Sequence, residues 1–276
     1  MNFLGKKAIA VMMMTVLLLG LPGCVSYEKA GKKLLRFLEE KYGEEFILEG
    51  IGGGYGTMNN NTLKAVVRPK RDPTMRVMAE ITKDLKQVFD NYLAVVVARN
   101  NIPEVEAVAK EIWPDARVHL ANDMGPYAST KHTDLGMTYQ EFIQLYPMNT
   151  LLVDVYVDAD NYINPDGTMD EEGEYEKYKT FMDRMVEKGY ISAFVSIIYT
   201  NPVYYAKFDE AMKSEYGPTF YYDDFEKNNE IVLVTGNGFK ITGKGTMYER
   251  KDEIDQTFEI WRERREQYAR QKGGVK

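Results

Sequence analysis

A single cysteine, Cys24, occurs in 276 residues. One thiol cannot close a disulfide within the chain, nor can it furnish the thiolates of a cysteine-ligated zinc or iron–sulfur site. Histidine is nearly as scarce: His119 and His132 are the two present, and neither belongs to a His-Glu-x-x-His pattern. No Gly-x-Ser-x-Gly elbow occurs either, so the usual zinc-protease and serine-hydrolase signatures are missing. Positive charge is in deficit, with 35 Lys and Arg against 42 Asp and Glu and a net formal charge of −7. A binder of phosphate backbones carries a basic face, so nucleic acid is disfavoured as a partner.

What is present starts at the N-terminus. Lys6 and Lys7 precede an apolar run from Ala8 to Leu21, 14 residues broken only by Thr15 and Gly20 and stopped by Pro22. A membrane-crossing helix needs roughly 20 apolar residues, so this run reads as an export signal. It closes on Leu21-Pro22-Gly23-Cys24, which resembles the lipobox of bacterial lipoproteins. The resemblance implies cleavage before Cys24, a diacylglycerol on its thiol and a place on the outer face of the cell membrane. Two acyl chains suffice for stable anchoring where one does not. Loss of residues 1–23 removes Lys6 and Lys7, two positive charges, and takes the net charge from −7 to −9. Val25 and Ser26 alone separate Cys24 from the first helical pattern, which leaves little tether.

In that pattern Tyr27, Ala30, Leu34, Leu38 and Tyr42 recur at helical spacing, and Gly43 ends the segment. Short strands are expected at 46–51, 63–68 and 75–81, with a glycine-rich loop from Gly52 to Asn61 between the first two. Helices follow over 83–99 and from Pro103 to Trp113, then a strand over 117–120 and a helix over 139–146. The second half reads as a strand over 150–158, a helix over 171–188, a strand over 193–200 and a helix over 202–216. Strands are then expected at 220–222, 230–235 and 239–242, the last two as a hairpin over Gly236-Asn237-Gly238. A closing helix over 249–271 carries Ile254, Phe258, Trp261 and Tyr268 on one stripe.

Helices and strands mix without strict alternation, so the expected class is α+β, with mostly antiparallel short strands and packed amphipathic helices. A boundary near Pro147 would divide an N-terminal region, 24–147, from a C-terminal one, 148–276, or the two form one domain. The first helix, Glu40-Lys41-Tyr42-Gly43-Glu44-Glu45-Phe46 and the strand meander resemble small uncharacterised lipoproteins of Gram-positive bacteria, a resemblance that implies no activity.

Chemistry is harder to place. The carboxylates between Asp154 and Glu172 invite a calcium loop, but with Gly167 as its turn glycine the first and twelfth positions would be Tyr162 and Gly173, which lack the needed carboxylates. A turn at Asn164-Pro165-Asp166-Gly167 followed by an acidic first helical turn accounts for the same residues. The run from Gly50 to Gly56 lacks the Gly-Lys-Ser/Thr and following helix of a phosphate cradle. His132 reads as a solvated loop histidine. Asp223 and Asp224 form a carboxylate pair that nothing singles out. The basic run Arg262, Arg264, Arg265, Arg270 and Lys272 is interrupted by Glu263 and Glu266 and reads as a solvated helix face.

No catalytic, cofactor or metal-binding residue is thereby assigned. Tyrosine is abundant, at 20 residues, and the clusters Tyr204-Tyr205 and Tyr221-Tyr222 are candidates for stacking on a peptide or glycan of the cell envelope. The expectation is a lipid-anchored, noncatalytic binding or interaction domain, its partners the membrane through Cys24 and an envelope protein, peptide or glycan. The rivals are a solute-binding lipoprotein of a transporter, which needs two lobes around a cleft, and an envelope hydrolase built on carboxylates.

Overall fold

The computed structural model describes residues 26–53, 61–122, 131–212, 231–242, 245–248 and 251–273. Cys24, Tyr221, Tyr222, Asp223, Asp224 and the strand expected at 220–222 lie outside the described residues.

Helix α1 (Tyr27–Tyr42) forms where the spacing predicts it. The Ser26 side chain accepts from the Lys29 amide, and Gly43, at φ 71°, closes the helix with its N–H on the Glu39 carbonyl. Ala30, Leu34 and Leu38, four residues apart on one stripe, are buried. Four strands follow as an antiparallel meander in the order β1 (Phe46–Gly53), β2 (Thr62–Pro69), β3 (Val77–Thr82), β4 (Val88–Asp90). A bulge between Leu48 and Gly50 shifts the β1–β2 register by one residue at Glu49. One face of this sheet buries Leu63, Ala65, Val67, Val77, Ala79 and Ile81 in a core shared with α1.

Helix α2 (Tyr92–Ile112) joins the two halves. Its first turns give Tyr92 and Val96 to the first core, whereas Leu93, Val97, Val105, Val108 and Ala109 enter a second, larger one. The helix expected over 83–99 therefore starts late. The Thr82 hydroxyl accepts from the amides of Lys86 and Gln87, which turns the chain back so that Val88 and Asp90 pair with β3. Pro103 does not begin a new helix but lies inside α2. Its missing N–H and ring clash ordinarily break a helix; burial of the apolar residues on both sides holds this one together.

The second sheet has the order β5 (Arg117–Asn122), β6 (Leu151–Asp158), β7 (Ser192–Thr200), β8 (Ile231–Thr242), β9 (Gly245–Tyr248), with β6 and β7 parallel and the other pairs antiparallel. Helix α3 (Tyr139–Leu145) precedes β6, and its Thr138–Glu141 capping box holds the N-terminus. Helix α4 (Glu171–Glu187) makes the crossover that a parallel β6–β7 pair requires. Two short helices, α5 (Pro202–Ala206) and α6 (Phe208–Ala211), follow β7, and α7 (Lys251–Gly273) packs Phe258 and Trp261 into the larger core.

The α+β expectation stands. The expected hairpin over Gly236–Gly238 does not: β8 runs unbroken through these residues because β7 pairs along its length, Ser196 with Gly236 and Phe194 with Gly238. Cross-strand pairing with a long neighbour overrides local turn preference. Pro147 falls between β5 and β6, which are hydrogen-bonded neighbours in one sheet, and α2 carries the chain from the first sheet to the second.

Candidate functional site

Strand alternation sends Lys64, Val66, Met78 and Glu80 to the face of the first sheet opposite α1. No helix lies among the residues that line this face. Ile47 and Met78, both large and apolar, are each 44% exposed on it. The register brings Gly50, Val66 and Met78 into one row across three strands and Gly52, Lys64 and Glu80 into the next. Because Gly50 and Gly52 carry no side chain, the β1 side of both rows is open, and a Cβ built at either glycine meets nothing within 4 Å. The result is a furrow of about 410 Å³ with an apolar floor, bounded by Glu49, Lys64, Arg76 and Glu80. That volume is within the usual range for small-molecule sites, roughly 300–1,000 Å³.

Most of the charge around the furrow is already matched. Glu49 pairs with Arg68, which is 6% exposed and also donates to the Pro73 carbonyl at 2.7 Å. Glu80 faces Lys64 at 3.9 Å and accepts from the Thr62 hydroxyl at 2.8 Å. Arg76 is exposed and makes no hydrogen bond or ion pair among the described residues. No nucleophile with an adjacent base occurs in this lining; its chemistry is apolar contact plus one free guanidinium.

The second sheet also has an outer face. Tyr156 and Ile198 are covered there by Phe208, and burial pushes the Tyr156 phenol well above its ordinary pKa. One row further along, His119 faces Asp154 at 3.4 Å, and Asp154 pairs in register with Ser196. The carboxylate thus stands in the middle of this row. A nucleophilic triad needs the imidazole there, so His119 and Ser196 are not arranged for acyl transfer.

The sequence-predicted residues are scattered. Tyr204 and Tyr205 lie on α5, both partly buried. Tyr205 donates its hydroxyl to the backbone carbonyl of Asp115, and burial with the nearby Asp115 charge raises its pKa. Its polar end is therefore engaged within the protein. Tyr162 donates to the carboxylate of the same Asp115, which also accepts from the Asp158 amide and from Asn161. His132 faces the Tyr146 hydroxyl at 2.8 Å. The acidic stretch forms a turn in which Asp166 accepts from Thr168 and Gly167 has φ 80°, followed by α4 with Asp170 as its cap and Glu171, Glu172 and Glu174 in its first turn. Among the described residues no three His, Cys, Asp or Glu side chains are grouped to hold a metal ion. The basic residues of α7 are partly paired, Arg262 with Glu171 and Lys272 with Asp160.

Sequence reasoning did not single out Val66, Met78 or Arg76, and it weighed Gly50 and Gly52 only as part of a phosphate cradle that the pattern does not support. The signal was a pair of strands with apolar residues on both parities, as Val66 lies between Ala65 and Val67 and Met78 between Val77 and Ala79.

No protein-family model matches the chain, and no curated protein matches it. Among solved structures, the chain is similar to a DUF5037 family protein from Ruminococcus gnavus, at 16% identity and a TM-score of 0.49, over 86% of this chain and 98% of that one.

Proposed function

We propose that this chain is an extracytoplasmic, lipid-anchored domain that binds a ligand of the cell envelope without transforming it, and that the furrow on the open face of the first sheet is its binding surface. The observation that carries the binding reading is an apolar depression of about 410 Å³ whose floor is left open by two glycines. A sheet exposing apolar side chains to water gains free energy, at about 25 cal/mol per Å² of apolar surface covered, whenever a ligand sits on it. The anchor reading rests on Lys6, Lys7, the apolar run and Leu21-Pro22-Gly23-Cys24. Among the described residues no helix is long and apolar enough to cross a membrane. Helix α1 begins at Tyr27, three residues after Cys24, so a lipid on that cysteine would hold the domain against the headgroups.

Two measurements test the two halves of the proposal. Mass spectrometry of the N-terminal peptide, with membrane fractionation of wild type against Cys24→Ala, tests the anchor. Lipid on Cys24 and loss or non-cleavage of the variant support it; an unmodified Cys24 in soluble wild-type protein overturns it. For binding, a neutral diazirine-bearing dodecanol is photolysed with the full chain in phosphatidylcholine nanodiscs. Label on peptides of β1, β2 and β3 that disappears in Gly50→Leu supports the furrow. Label elsewhere, or label indifferent to that substitution, overturns it.

A further inference from the structure

We infer that the furrow selects an amphiphile with a single negative charge, an apolar chain or ring system ending in one carboxylate or phosphate. This inference rests on the furrow being the binding surface and adds the chemical class of its occupant.

The argument is one of charge matching. Five charged side chains border or support the apolar floor: Glu49, Lys64, Arg68, Arg76 and Glu80. Two of them, Glu49 and Arg68, neutralise each other, with the Arg68 side chain 7% exposed and therefore withdrawn from any incoming group. Lys64 and Glu80 face each other across β2 and β3, and Glu80 is held further by Thr62. A cationic ligand would have to compete with Lys64 for Glu80, or displace Arg68 from Glu49 and leave that buried guanidinium without its carboxylate. An anionic ligand breaks nothing, because Arg76, two residues before Met78 and in the same lining, has no side-chain partner among the described residues. A guanidinium presents its donors as a planar fork that matches carboxylate and phosphate oxygens in pairs. It also sits at the edge of an apolar surface, where a charge-assisted hydrogen bond is less screened than in open water.

The chain as a whole is acidic, at −7, so it is the local cation beside the apolar floor, and not the net charge, that would draw an anion there. The apolar portion is read by Val66, Met78 and the backbone of Gly50 and Gly52, none of which can form a side-chain hydrogen bond, so this part of the site measures area and length, not pattern. Each further methylene that reaches the floor tightens binding by up to about fourfold.

The probe is dodecanoate carrying a terminal diazirine, photolysed with the full chain in phosphatidylcholine nanodiscs and mapped by peptide mass spectrometry. Competitors are unlabelled dodecanoate, dodecyl phosphate and dodecyltrimethylammonium. Expected are label on β1–β3 peptides, competition by the carboxylate or the phosphate with at least tenfold preference over the ammonium, weaker competition by decanoate, and at least tenfold loss of label in Arg76→Glu. The preference between carboxylate and phosphate distinguishes a free acid from a headgroup-like ligand. Equal competition by dodecyltrimethylammonium, or unchanged labelling of Arg76→Glu, overturns the inference; should the neutral dodecanol probe still label the furrow, the binding surface survives without its charge selectivity. Since a Cβ at position 50 meets open space, Gly50→Leu is expected to keep its thermal midpoint while losing both labels, which separates a blocked furrow from an unfolded protein.

Discussion

The ammonium of Lys41 lies 2.8 Å from a carboxylate oxygen of Asp90, with the two side chains 4% and 0% exposed. Asp90 also accepts from the Tyr42 hydroxyl at 2.7 Å and from the Tyr92 amide at 3.0 Å. One carboxylate therefore ties the end of α1, the end of β4 and the start of α2, and burial beside Asp90 drives the Tyr42 phenol far above its ordinary pKa.

Removing one partner of this pair strands a charge. Asp90→Ala is expected to destabilise the protein by about 3–5 kcal/mol; the double change Lys41→Met, Asp90→Leu should cost less because no charge is stranded, although the Tyr42 hydroxyl and the Tyr92 amide still lose their acceptor. Urea unfolding of the two variants decides this, and equal losses would contradict it.

A second buried carboxylate organises the larger core. Glu174, 4% exposed, accepts from the Trp113 indole at 3.0 Å and the Tyr199 hydroxyl at 2.8 Å, and faces Lys177 at 2.6 Å. Glu174→Ala leaves two buried donors unsatisfied and should cost about 3 kcal/mol. Glu174→Gln retains an acceptor and should cost less, by the same denaturation measurement.

Two glycines with positive φ should respond differently to alanine. Gly43, at φ 71°, has open space where a Cβ would stand, so Gly43→Ala bears only the backbone strain, about 1 kcal/mol. Gly167, at φ 80°, would place a Cβ 2.8 Å from the backbone oxygen of Arg265, and its own carbonyl accepts from the Trp261 indole. Gly167→Ala is expected to cost about 2 kcal/mol or more and to loosen α7. Hydrogen exchange of the α7 amides would show whether the loss is local to that contact.

Asp158 supplies a pH signature. Burial, then the charges of Asp160 and Asp115, raises its pKa above the ordinary aspartate value. A carboxyl raised in the folded state adds stability that is full below the unfolded pKa and is lost as pH rises through the folded one. Asp158→Asn, which keeps an acceptor for the Asp160 amide, should therefore unfold at a higher temperature than wild type at pH 7. The difference should vanish near pH 3, where the native carboxyl is protonated. A constant offset across that range would count against the assignment.

Much of the fold was legible in local pattern. The spacing of Ala30, Leu34 and Leu38 together with Gly43 specified α1, and the acidic first turn after Asp170 specified α4, because periodicity and capping act within a few residues. The furrow was not legible. Gly50 read as the end of a strand and Gly52 as the start of a glycine-rich hairpin loop, and Val66 and Met78 as ordinary strand residues. Their shared row appears only when the bulge at Glu49 and the pairing of β1, β2 and β3 are known. Tyr205 was visible as an exposed-type aromatic, yet its hydroxyl is spent on Asp115, 90 residues away.

By itself the sequence determined the α+β class, the main amphipathic helices, the acidic balance and the lipobox-like segment ending at Cys24. Tertiary structure alone decided that α2 passes unbroken through Pro103, that β8 runs straight through Gly236 and Gly238, and that Arg76 has no partner among the described residues beside an open apolar floor. The reason is physical: helix periodicity, caps and charge are properties of neighbouring residues, whereas strand register, the face a side chain takes and the company a charge keeps depend on residues brought together from distant parts of the chain.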